Sequence, residues 1–173
     1  MSKSEYLTDH KVFTRLWKQA AEGRKSVAAA IQSDTALYFD SSDICTFRYH
    51  EFVRSLLSER REVEFAALVL RPAPETYFYH HFAKYPAFIF RPEHSDQDFV
   101  ASLNADPGGS LADAFDANSE EYVVFPLSGE WAIYADRKQE LAAMAGPRDV
   151  LEFARRRYPF AVFEKNPGFA IRE

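Results

Sequence analysis

The run Glu62 to Leu70 constrains the fold more than any other stretch of the chain. Val63, Phe65, Ala67 and Val69 alternate along one face, while Leu68 and Leu70 add apolar side chains to the other. A period of two marks a strand, and apolar residues on both faces near its end mark a central strand. Pro72 and Pro74 close it, because proline has no amide hydrogen to give to a ladder. A central strand needs partners on either side and helices to cover it.

The partners are read from the same signals. Thr35 to Asp40, Ala87 to Phe90, Glu121 to Leu127 and Trp131 to Ala135 have strand character, and Phe160 to Phe163 offers a last one. Ser128-Gly129-Glu130 is a hairpin turn, and Pro126 points to an edge position or a bulge. Ile44 to Tyr49 reads two ways. A hairpin strand places Cys45, Phe47 and Tyr49 on one face, whereas a helix capped at Ser42 or Asp43 groups Ile44, Phe47 and Phe52; the hairpin is favoured.

Helices are expected over Glu5–Glu22, with Ser4 as cap and Gly23 as terminator, and over Glu51–Arg60. Arg24 to Ser33 is open between helix and strand. Tyr77, Phe78, His81, Phe82 and Tyr85 recur at helical spacing, with an alternating strand over Thr76–Phe82 as competitor. Ser95 with Asp98 caps a helix carrying Phe99, Val100 and Leu103. Short helices follow over Leu111–Ala117, from Asp136 through Ala145, and over Arg148–Arg157. The fold class is therefore α+β: an antiparallel or mixed sheet of five to seven strands, with helices packed mainly on one face. No Pro/Gly/Ser-rich linker divides residues 1–173, so a single domain is expected.

Composition limits the function classes. Lys and Arg total 21 against 26 Asp and Glu, a net charge of -5 that argues against broad nucleic-acid binding. The single Cys45 cannot form an internal disulfide and has no zinc-ligand spacing. The start of the chain lacks a signal-peptide stretch and no run approaches bilayer length, so cytoplasmic location and no membrane partner are expected. The 16 Phe, 9 Tyr and 2 Trp are the anomaly. Not all of these rings fit inside so small a domain, and those reaching the surface suit contacts with a partner protein.

Reactive constellations are scarce. His80 and His81 are adjacent, which sends their imidazoles apart on helix or strand, so no metal site is expected there. Cys45 sits among apolar residues that keep a thiol protonated. Gly108-Gly109-Ser110 lacks the lysine and spaced glycines of a phosphate loop, so no cofactor is expected. Arg155-Arg156-Arg157 complements the C-terminal end of its helix, with Tyr158 as a cation–π partner. The binding candidates are Tyr77, Tyr79, His81 and Tyr85, as a phenol- and imidazole-lined pocket near Trp131, together with Asp136 and Arg137.

Trp131 through Ala145 is the most distinctive segment: a strand delivers Trp131 and Ile133 to one side, then Asp136-Arg137 turns into a capped helix. This resembles the tryptophan–strand–Asp-Arg–helix ending of small bacterial immunity-type proteins from toxin–immunity loci. The resemblance spans those residues and carries over no functional residue. It implies a non-catalytic domain that binds a toxin protein, often basic, through acidic side chains around an aromatic centre. The alternative is a small enzyme or ligand binder using the Tyr/His pocket.

Overall fold

A computed structural model describes residues 3–172; Met1 and Ser2, part of the N-terminal stretch read for a signal peptide, lie outside it. Its elements run α1 (His10–Gln32), β1 (Leu37–Asp40), α2 (Phe47–Glu59), β2 (Phe65–Arg71), α3 (Phe78–Phe82), β3 (Ala87–Phe90) and α4 (Asp96–Leu103). Then come α5 (Phe115–Asn118), β4 (Glu121–Pro126), β5 (Ala132–Asp136), β6 (Leu141–Ala145) and α6 (Arg148–Arg157). The six strands form one antiparallel sheet in the order β1-β6-β5-β4-β2-β3. This is an α+β fold, with no helix of the described residues long and apolar enough to cross a membrane.

The Glu62–Leu70 pattern holds from Phe65 onward: β2 lies between β4 and β3 and is buried from Phe65 to Leu70, whereas Val63, expected on its apolar face, precedes the strand and is exposed. Side chains alternate strictly across the sheet. Phe39, Phe65, Ala67, Phe88, Val124, Ile133 and Met144 face α2, α4 and α6. Tyr38, Ala66, Leu68, Ile89, Val123, Tyr134 and Ala143 face α1. Helices α2 to α6 all contribute to the first face, whereas α1, the longest, covers the second alone.

Helix α1 begins later and ends later than its expected bounds. Asp9 caps it by accepting from the Val12 amide, and it runs through the ambiguous Arg24–Ser33 stretch to Gln32. Its buried stripe of Phe13, Leu16, Ala20, Val27 and Ala30 has three- and four-residue spacing, and Gly23 completes it. Gly23 therefore terminates nothing. A Cβ there would lie 2.9 Å from the Cβ of Ala132, so the glycine lets the helix backbone approach β5. Ser4, expected as a cap, instead donates to the Ile89 carbonyl from an extended segment. In that segment Leu7 bridges Tyr85 beside the edge strand β3.

Two further expectations are corrected. Ile44–Tyr49 is not a hairpin strand: Asp43–Cys45 is a 3-10 turn, and Thr46 caps α2 by accepting from the Tyr49 amide. The partner of β1 is β6, about a hundred residues further along the chain. Nor is 136–145 a helix. Residues 137–140 form a tight turn with Glu140 at φ 60°, and Leu141–Ala145 returns as β6 between β5 and β1. Two strands needing a partner outweigh the helix propensity of an alanine-rich run.

Of the other readings, some stand and some do not. The Ser95/Asp98 capping box is formed, and α6 has the expected bounds. Pro126 is the last residue of β4, past the point where β5 pairs with it. Phe163 makes only an isolated bridge to Tyr38. Arg157 lies over Phe153 at 5.9 Å rather than over Tyr158. At the C-terminal end, Phe169 packs on Tyr38 and Tyr134, and the Gln139 side chain bonds both the carbonyl and the amide of Ala170.

Gly23→Ala tests the close approach of α1. Helix propensity alone stabilises such a change by about 1 kcal/mol. The contact with Ala132 reverses the sign, and chemical denaturation is expected to show a loss of about 1–2 kcal/mol.

Candidate functional site

The register aligns Asp40, Leu141, Asp136, Glu121 and Arg71 at one end of the sheet. The segments leaving that end hold six of the candidate residues: Tyr77, Tyr79, His81, Tyr85, Asp136 and Arg137. Trp131 precedes β5 at the opposite end, buried in the core with no partner for its indole nitrogen. The expected Tyr/His pocket near Trp131 is therefore not formed, because β5 separates Trp131 from the other candidates by its full length.

Tyr85 and Tyr79 belong to a ladder of rings that reaches the surface. Phe13 stacks on Tyr85 at 4.0 Å with an interplanar angle of 8°. Tyr79 also stacks on Tyr85, at 4.7 Å, and Trp17 lies 5.9 Å from Phe13. Trp17 follows Phe13 by four residues, so α1 presents both on one side. Tyr85 is held by backbone bonds to Leu7, and its hydroxyl lies 2.7 Å from Nδ1 of His10. Burial raises the pKa of that phenol, which stays protonated at neutral pH. Buried Phe13 and Tyr85 thus form a fixed base from which Trp17 (37% exposed) and Tyr79 (43% exposed) project. Beside them, Phe13, Trp17, Ala73, Pro74, Glu75 and Thr76 line a groove of about 190 Å³.

Tyr77 and His81 turn elsewhere. Their rings lie 4.4 Å apart, the Tyr77 hydroxyl donates to Asp113, and His81 is exposed with Nδ1 2.8 Å from the Tyr77 carbonyl oxygen. The cavity next to Tyr77 measures only about 10 Å³, room for a single water. The rings of His80 and His81 are not sent apart as expected but meet edge to face, 5.3 Å between centroids at 81°.

Asp136 is consumed locally. It accepts from the Lys138 and Gln139 amides and from the Gln139 side chain, so it shapes the β5–β6 turn rather than capping a helix. Arg137 does reach a polar cluster that the sequence does not reveal. Its guanidinium pairs with Asp116 at 2.9 Å, lies 3.4 Å from Sγ of Cys45 and sits over the Tyr122 ring. Cys45 donates to Asp116 at 2.6 Å. Burial, reinforced by that carboxylate, pushes the thiol up to about 12 despite the neighbouring arginine. A protonated, hydrogen-bonded thiol is a structural group and a poor nucleophile.

Phe13, Trp17 and His10 are the site residues that sequence reasoning missed. Phe13 is in the helical stripe and Trp17 lies one turn beyond it, but nothing local says that Tyr85 will stack on Phe13 from a segment about seventy residues away.

The state of Cys45 is directly measurable. At pH 8 the native thiol is expected to react with a disulfide reagent about a thousandfold more slowly than free cysteine, reflecting its small thiolate fraction. Unfolding should restore the ordinary rate.

No protein-family model, no curated protein and no solved structure matches this chain.

Proposed function

We propose that this chain is a non-catalytic protein-binding domain of immunity type, and that Trp17 and Tyr79 anchor its contact with a basic partner protein. The observation that carries this reading is the ring ladder: two exposed aromatics stand on two buried ones beside an open groove. Anchors already fixed in place lose little side-chain entropy on binding, and aromatic groups of this kind dominate interface energies. Most of the chain's rings are buried, which sharpens the argument. Among the described residues, four of the large exposed hydrophobics are aromatic: Trp17, Phe47, Tyr79 and Phe163. Trp17 and Tyr79 are the two that share one surface cluster. The net charge of -5 favours a basic partner, and Glu75 places a carboxylate in the groove itself.

The alternative of an enzyme built on the Tyr/His pocket gains no support from this geometry, since Tyr77 and His81 diverge from Tyr79 and Tyr85.

The test is calorimetric titration of the purified chain with proteins encoded beside its gene. One basic neighbour is expected to bind. Trp17→Ala and Tyr79→Ala should each weaken that complex by about 2 kcal/mol, roughly thirtyfold. Phe163→Ala, at the far edge of the sheet, should leave it unchanged. A complex indifferent to Trp17 and Tyr79, or no binding by any neighbour, overturns the reading.

A further inference from the structure

A second site lies on the other face of the sheet, at its other end, and owes nothing to the ring ladder. Phe65 opens β2 and pairs with Phe90 at the end of β3. Above them α2 lowers His50 onto the sheet, where the imidazole stacks on Phe99 of α4 at 4.7 Å. A cavity of about 180 Å³ opens here, with Leu57, Phe65, Phe90 and Pro92 as its apolar lining. Its polar lining is His50, Arg54, Ser58, Glu62 and Arg91.

His50 is only 1% exposed, and its orientation is fixed. Nδ1 lies 2.5 Å from Oδ1 of Asp96, the first residue of α4. The carboxylate accepts, so Nδ1 carries the hydrogen. Burial lowers the pKa of the ring, which is therefore neutral at pH 7 and bears a lone pair on Nε2. Nε2 has no hydrogen bond among the described residues. A histidine set in one tautomer by a carboxylate is the arrangement that makes Nε2 a strong, directed acceptor.

Glu62 points the same way independently. Its Oε1 accepts from Ser128, but Oε2 is buried with no partner. Such a group costs free energy unless something donates to it. Two acceptors without donors call for a ligand that donates. A cationic amine is disfavoured, because the guanidiniums of Arg54 and Arg91 line the same space. A neutral hydroxyl donates to one of these acceptors without adding positive charge, and the apolar wall of Leu57, Val63 and Pro92 suits a ring. The volume is below that of a drug-sized pocket and fits one small aromatic molecule.

We propose that the cavity under α2 binds a small hydroxy-aromatic molecule, its hydroxyl donating to Nε2 of His50 and its ring lying against Leu57, Val63 and Pro92. The hydroxyl is the recognition element, Asp96 is a positioning residue acting through His50, and Arg54 at the mouth receives any anionic substituent.

Phenol is the probe, with anisole, which cannot donate, and protonated benzylamine as comparisons. Binding is followed by nitrogen chemical shifts of the His50 imidazole and by amide shifts of the surrounding chain. Phenol is expected to saturate at millimolar concentration and to move the Nε2 resonance. Anisole should bind about fivefold or more weakly, for want of one hydrogen bond, and benzylamine more weakly still. His50→Phe keeps a ring stacked on Phe99 and should abolish the preference for phenol over anisole, with folding checked by thermal melting. Val63→Trp is made at a rim residue 62% exposed, where folding tolerates change, and should block both ligands. Equal affinity for phenol and anisole overturns the proposal. So does a preference for phenol that survives His50→Phe, phenol binding that survives Val63→Trp, or the absence of any shift at His50.

Discussion

The structure depends on a sheet whose strands are covered on both sides. Once β2 and β4 pair with their inner residues apolar above and below, neither face can be left to water. One face takes α2, α4 and α6, with large side chains filling the space. The other takes a single long helix brought close by small residues: Gly23 on α1 against Ala132, with Ala143 and Ala145 nearby. The two faces are solutions to the same problem, one by bulk and one by proximity. Most of the phenylalanines are used in the first, while Phe13, Phe125 and Phe169 pack on the second.

That use of the rings changes the meaning of their number. Read as composition, 27 aromatics exceed the needs of a small core. Folded, most of them are the core, and the significant ones are those left out with their bases anchored. The open ends of the sheet are also accounted for. Leu7 bridges to Tyr85 beside β3, and Phe163 bridges to Tyr38 on β1, so each outer strand has part of its backbone occupied. Edges occupied in this way are poor templates for unwanted pairing.

What was legible in the sequence was local. The double-sided pattern of β2, the Ser95/Asp98 cap, the Ser128-Gly129-Glu130 turn and α6 are written in neighbouring residues, and all are present. The errors lie where a distant segment decides. Leu141–Ala145 is alanine-rich and helical by propensity, yet it is a strand because β1 and β5 flank it. Gly23 looks like a terminator until Ala132 is seen beneath it. Tyr79 and Tyr85 were identified as binding candidates, but their companions Phe13 and Trp17 come from α1. His50 was passed over because its partner, Asp96, is on another helix and no spacing rule joins them. Asp136, read as a binding candidate at the start of a helix, instead shapes the turn between two strands.

The pairing of β1 with β6 has a consequence for how the molecule comes into being. Leu37 meets Met144, so β1 leaves the ribosome long before β6 and waits for it to gain its strand neighbour. Until then α1, which covers β4, β5 and β6 through Leu16, Ala20 and Val27, lacks part of its floor. Assembly is thereby weighted toward the completion of β6, and slow closure is the kinetic signature such long-range topology carries.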